Sequence, residues 1–161
     1  MGIDASALVS LLREKNLKIA VAESCTGGWF AKAITDTSGA SAVFDCGVVA
    51  YANAVKAKLL AVPEEDLAQF GAVSERVAKA MAEGVRALAG ADIGVGITGI
   101  AGPRSDQTDK PVGLIYIAVA GTKGCVVKEH RTAFHGDVRG QNRMFAVQEA
   151  LRMAEAYALL I

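Results

Sequence analysis

Apolar positions recur along the chain with two periods, one helical and one extended. Leu8, Val9, Leu11 and Leu12 share a helical face over 5–14, which predicts an opening amphipathic helix ended near Asn16. Lys18 to Ala22 is short and apolar and suits a buried strand. A polar turn, Glu23 to Gly28, leads into a helical period carried by Phe30, Ala33 and Ile34, closed by the polar break 36–41. Val43 to Tyr51 is apolar again, with 48–51 as a second strand, and a helix-friendly run, 52–60, follows directly. Pro63 with Glu64, Glu65 and Asp66 opens a short helix that Gly71 stops. Ser74 then caps a longer helix with Val77, Met81, Val85 and Leu88 on one face, closed by Gly90. A third strand is predicted over 92–98. It runs into Gly99 to Pro103 and a polar loop reaching Pro111. Strands over 113–120 and 125–134 flank the hairpin-like turn 121–124. A loop, 135–140, precedes a long helix over 141–160.

Strands and helices alternate first and a hairpin follows. That order predicts an α/β chain, a three-layer α/β/α sandwich with a mixed, mostly parallel sheet of about five strands. The 161 residues suit one domain, without repeats or low-complexity segments. With 52% hydrophobic and 21% charged residues the chain is globular. Lys and Arg balance Asp and Glu, 17 against 17, so no whole-chain charge drives it toward nucleic acid or an anionic membrane. Cys25, Cys46 and Cys125 are odd in number and widely spaced. They fit neither a metal-ligand spacing nor a disulfide framework, and point to a reducing compartment. No signal segment or bilayer-length apolar run is visible, so the expectation is a cytoplasmic protein.

Four stretches look chemical. The turn Ser24-Cys25-Thr26-Gly27-Gly28 lies between a strand and a helix, where free N–H groups, the helix dipole and two hydroxyls could receive a phosphate. Ser24 or Thr26 could equally be an ordinary helix cap. Ser41, followed by Tyr51 and Lys56, supplies a hydroxyl, a phenol and an amine. A lysine can activate a serine when its pKa is depressed; otherwise Ser41 caps, Tyr51 packs and Lys56 is solvated. Thr98, Gly99 and Gly102 belong to a Gly-rich loop at a strand's carboxyl end, a place where open α/β sheets bind ligands. Arg139 and Arg143 suit phosphate or carboxylate, although either could be a solvated helix residue.

Several motifs in order resemble the C-terminal domain of the competence/damage-inducible CinA proteins, a family that includes stand-alone nicotinamide mononucleotide deamidases. They are A-E-S-C-T-G-G at 22–28, G-x-V-x-Y-x-N from Gly47 to Asn53 with Lys56 after it, G-A-V-S-E at 71–75, G-I-T-G-I-A-G-P at 96–103, K-P-V-G at 110–113 and F-H-G-D at 134–137. The resemblance implies a metal-independent amidohydrolase that turns nicotinamide mononucleotide (NMN) into nicotinic acid mononucleotide and ammonia in NAD recycling. It implies a homodimer acting on a small nucleotide, without metal or organic cofactor; no nucleic-acid or membrane partner is expected. It implies a Ser/Lys mechanism with Ser41 as leading nucleophile, Lys56 as base and Tyr51 assisting. Ser24 is the second candidate nucleophile and, with Thr26, Gly27, Gly28, Thr98, Gly99, Gly102 and Arg143, a substrate contact. The N-terminal pyrophosphatase-like domain of full CinA proteins is expected to be missing, with its activity. Val138 departs from the family's G-D-R run but keeps the four-residue spacing from Arg139 to Arg143, and Asn142 stands where the family has an aliphatic residue. The alternative reading, from another class, is a non-catalytic nucleotide-binding or protein-interaction module linked to competence or DNA damage.

Overall fold

The computed structural model describes residues 2–105 and 107–161, so one position of the expected polar loop lies outside the described residues. In chain order the elements are α1 (Ser6–Glu14), β1 (Ile19–Glu23), α2 (Trp29–Thr35), a 3-10 turn (Ala40–Ala42), β2 (Phe44–Val49), α3 (Asn53–Leu60), α4 (Glu64–Phe70), α5 (Glu75–Ala89), β3 (Ile93–Gly99), β4 (Leu114–Gly121), β5 (Gly124–Arg131) and α6 (Val138–Ala158). The strands form one mixed sheet in the order β2-β1-β3-β4-β5. β1 pairs in parallel with both β2 and β3, while β3–β4 and β4–β5 are antiparallel.

Side-chain alternation sorts the sheet into a bulky face and a thin one. Ile19, Val21, Ile93, Val95, Ile97, Ile115, Ile117 and Val119 pack with α1, α2 and α6. Their neighbours in sequence, Ala20, Ala22, Gly94, Gly96, Ala118 and Ala120, face α5. The missing side chains let α5 lie almost on the backbone. A Cβ on Gly94 would fall 2.2 Å from the Ala82 carbonyl oxygen, and one on Gly96 would fall 2.4 Å from that of Ala78. α3 and α4 pack against α5 on that side, completing the three layers.

Capping follows the sequence at α5. The Ser74 hydroxyl accepts from the Val77 N–H at 3.3 Å, and Gly90 ends the helix at φ 62°. At α6 the helix starts earlier than its apolar pattern predicts. Asp137 caps it by accepting from the Gly140 N–H at 3.0 Å, so part of the expected loop is helical.

The chain order creates a crevice. The connection after β1 crosses the bulky face through α2, and the one after β2 crosses the thin face through α3 to α5. Connections that leave neighbouring parallel strands on opposite faces open a gap at their carboxyl ends. Ser24 follows β1 at that gap, and Tyr51 and Lys56 follow β2.

Candidate active site

Lys56 occupies an inward position of α3, one turn before buried Leu60, and is itself only 1% exposed. Its ammonium nitrogen is 3.1 Å from Ser24 Oγ and 3.1 Å from the Tyr51 carbonyl oxygen. No ion pair of Lys56 with a carboxylate occurs among the described residues. Burial therefore holds its pKa below the usual lysine value, with only the nearby Cys25 thiol acting the other way. A lysine with its proton weakly held, bonded to a serine hydroxyl, has the arrangement that base-activated nucleophiles use. Cys25 beside it is unsuited to attack, because burial first and Glu23 second push its thiol up to about 12.

Strand alternation explains why Ser24 meets Lys56 while its neighbour does not. Glu23 is in phase with Ile19 and Val21 and turns toward the α2 face; Ser24 turns the other way, toward α3. Buried Glu23 accepts from the Thr26 hydroxyl and from the N–H groups of Gly28, Phe30 and Ala31, the last at 2.9 Å. At the α2 N-terminus, where the sequence suggested room for a phosphate, the chain's own carboxylate takes these amides. Thr26 is fully buried against Glu23, and Gly28 stands in the left-handed region at φ 98° to start the helix. Neither they nor Gly27 line the cleft at Ser24.

That cleft has a volume of about 210 Å³, and its polar lining includes Ser24, Lys56, Tyr51, Thr98, Arg104 and Arg139, with the Gly99–Gly102 backbone beside them. Thr98 donates to the Ala72 carbonyl at 2.9 Å. Tyr51 is 59% exposed, and its phenol oxygen accepts from Arg139 Nη2 at 3.0 Å; the other Arg139 amine holds the Gly102 carbonyl at 2.8 Å. Thus the backbone carbonyl of Tyr51 touches Lys56, while its ring sits at the rim. A larger groove of about 1060 Å³ runs along α4 and α5 but shares only Val73 with the cleft and contains neither Ser24 nor Lys56.

Two expected site residues lie elsewhere. Ser41 is exposed in the 3-10 turn before β2, at the amino edge of the parallel strands. The whole of β2 separates it from Tyr51, roughly 20 Å at the rise of an extended chain. Closeness in sequence to Lys56 therefore gives no contact, and Ser24 takes the place beside the lysine. Arg143 does not enter the cleft. Its Nε and Nη2 donate to the carbonyls of Cys25 and Thr26 at 3.0 and 3.1 Å, and its guanidinium lies 5.6 Å from the Trp29 ring centre. The arginines that do line the cleft are Arg104 and Arg139. The sequence reading named Arg139 beside Arg143 but gave the substrate contact to Arg143, and it passed over Arg104.

The sequence matches the CinA C-terminal domain over residues 4–158. The chain belongs to the CinA C-terminal domain family. A CinA-like protein of Geobacter sulfurreducens is 53% identical over 132 residues, 82% of this chain and 32% of that protein. One from Desulfovibrio desulfuricans is 45% identical over 98% of this chain and 36% of its own length. The chain thus spans about a third of the curated relatives it matches. Among solved structures, a CinA superfamily protein from Klebsiella pneumoniae superposes with a TM-score of 0.91 at 30% identity, covering 98% of this chain and 96% of its own. The competence/damage-inducible protein CihA from Agrobacterium tumefaciens gives 0.89 at 38% identity, covering 97% and 98%.

Within this CinA domain, Asn142 has a role that its polarity gave no reason to expect at a buried helix position. It is 1% exposed, donates to the Ala101 carbonyl at 3.0 Å and accepts from the Thr132 hydroxyl. It therefore ties α6 to the Gly-rich cleft loop. Among the described residues no cluster of three His, Cys, Asp or Glu is placed to hold a metal ion, and no helix is long and apolar enough to cross a membrane.

Proposed function

We propose that this CinA domain is an amidohydrolase that converts NMN to nicotinic acid mononucleotide and ammonia, with Ser24 as nucleophile and Lys56 as base. The observation that carries the reading is the buried 3.1 Å contact between Lys56 Nζ and Ser24 Oγ, made by a lysine whose burial favours the neutral amine. The family resemblance supplies the substrate.

The chemistry follows from that pair. Neutral Lys56 takes the hydroxyl proton as Ser24 Oγ forms a bond to the carboxamide carbon. Negative charge grows on the carbonyl oxygen and needs donors already in place, for which the Cys25 and Gly99–Gly102 backbone is at hand in the cleft. The C–N bond then breaks, and Lys56 returns its proton to the departing nitrogen, so that ammonia leaves. Water attacks the resulting ester while Lys56 accepts its proton. The acid is released and the Ser24 hydroxyl is restored. Arg104 and Arg139, at the same cleft, are the groups suited to the nucleotide phosphate.

Ammonia release from NMN by the purified chain, with and without chelator, tests this. The expected result is release unaffected by chelator. Arg139→Ala should raise KM for NMN more than for the riboside, because only NMN carries the phosphate. Absence of ammonia under all conditions would favour a binding module instead. Loss in chelator, restored by one divalent ion, would overturn the metal-independent mechanism.

A further inference from the structure

Two charged side chains of opposite sign grip the turn that carries Ser24, and neither lines the cleft. From the bulky face, Glu23 gathers one hydroxyl and three backbone N–H donors from Thr26, Gly28, Phe30 and Ala31. A carboxylate this buried is costly unless its oxygens are satisfied, and here they are met by four donors and the positive end of α2. From α6, Arg143 holds the two carbonyls that immediately follow Ser24, those of Cys25 and Thr26. Among the described residues no ion pair joins the two side chains, so each spends its charge on the backbone. The peptide unit is planar and trans, so a Cys25 carbonyl drawn toward Arg143 turns the Thr26 N–H the opposite way. The backbone direction just after Ser24 is thereby fixed at both ends.

We propose that Glu23 and Arg143 are positioning residues that lock the turn and hold Ser24 Oγ on Lys56. This rests on the reading of Ser24 as nucleophile. It assigns Arg143 to the protein backbone and not to the phosphate of the substrate.

Glu23→Gln keeps the shape but replaces one acceptor oxygen by an amide that faces N–H donors. Its kcat should fall by about a hundredfold with KM nearly unchanged, as expected when the reacting atoms are misplaced and binding is kept. Hydrogen exchange at Gly28, Phe30 and Ala31 should quicken in the same variant while the rest of the sheet stays protected. Arg143→Lys offers a single ammonium where a fork spans two carbonyls, and its kcat should fall by about tenfold, equally for NMN and the riboside. Folding of each variant is checked by circular dichroism; should Glu23→Gln not fold, Arg143→Lys decides on its own. Wild-type kcat in the folded variants would overturn the proposal. So would a KM increase in Arg143→Lys confined to NMN, which would return Arg143 to the phosphate. If the wild-type chain released no ammonia, the Ser24 reading would fall, and the exchange rates would then decide whether these side chains hold the turn.

Discussion

In the proposed mechanism the chemistry depends on Ser24 and Lys56, and their variants should fail in different ways. Ser24→Ala should lower turnover by several orders of magnitude, and Ser41→Ala should leave it within about twofold, as for an exposed residue remote from the cleft. Lys56 works as base only when neutral. Burial lowers its pKa from 10.5, so activity should climb as pH rises through the lowered value, and Lys56→Arg should stay inactive because guanidinium keeps its proton. The same burial has a stability consequence. The folded chain disfavours the ammonium, so stability is gained as pH rises from the folded value toward 10.5. Lys56→Met should then be inactive yet more stable at neutral pH by about 1 kcal/mol, read as a higher Tm. The residue types at this site were legible in the sequence; their pairing was only partly so. The resemblance put Ser41 first, and spacing along the chain could not decide between the serines: Ser24 touches Lys56 although the two stand 32 positions apart. One signal was available: Lys56 stands four residues before Leu60, on the face of α3 that must be buried.

Among the elements, the thin face of the sheet is the least tolerant of change. Gly94→Ala and Gly96→Ala each push a Cβ against α5 backbone, and each should cost about 3 kcal/mol in urea unfolding. The alternation of Gly with Ile and Val in β3 was plain in the sequence, although only the position of α5 shows what the glycines admit. On β5, His130 packs edge-on against Phe145 at 5.4 Å, and its buried Nε2 has no hydrogen-bond partner among the described residues. Burial lowers its pKa below 6.5, Lys128 adds to this, and Glu149 opposes it. The folded state thus favours the neutral ring. Its stabilising contribution is complete above the unfolded value near 6.5 and is lost as pH falls through the lowered folded value. His130→Phe should flatten the fall in Tm between neutral and mildly acid pH; an unchanged slope would show that other groups set it. The early start of α6 was hidden because Gly140 is a poor helix former, and the Asp137 cap outweighs it.

For the whole molecule, strand direction decides the account. Periodicity was enough to read the α/β class and the closing hairpin, because each strand and helix buries one coherent apolar set. It could not give the strand order, and the order gathers the carboxyl ends of β1, β2 and β3 at one cleft, with Ser24 there and Ser41 at the opposite, amino edge of the parallel strands. The family relation extends over nearly the whole chain and, through relatives about three times its length, shows the domain as one part of larger proteins. The most direct test of the central claim uses the fact that the two serines fall on different tryptic peptides, 19–32 and 33–56. The chain is mixed with NMN, quenched in acid during the first turnovers, digested, and searched by mass spectrometry for the acyl group of the product. The account predicts an ester adduct on peptide 19–32, absent in Ser24→Ala. An adduct on peptide 33–56 that survives Ser24→Ala would contradict it.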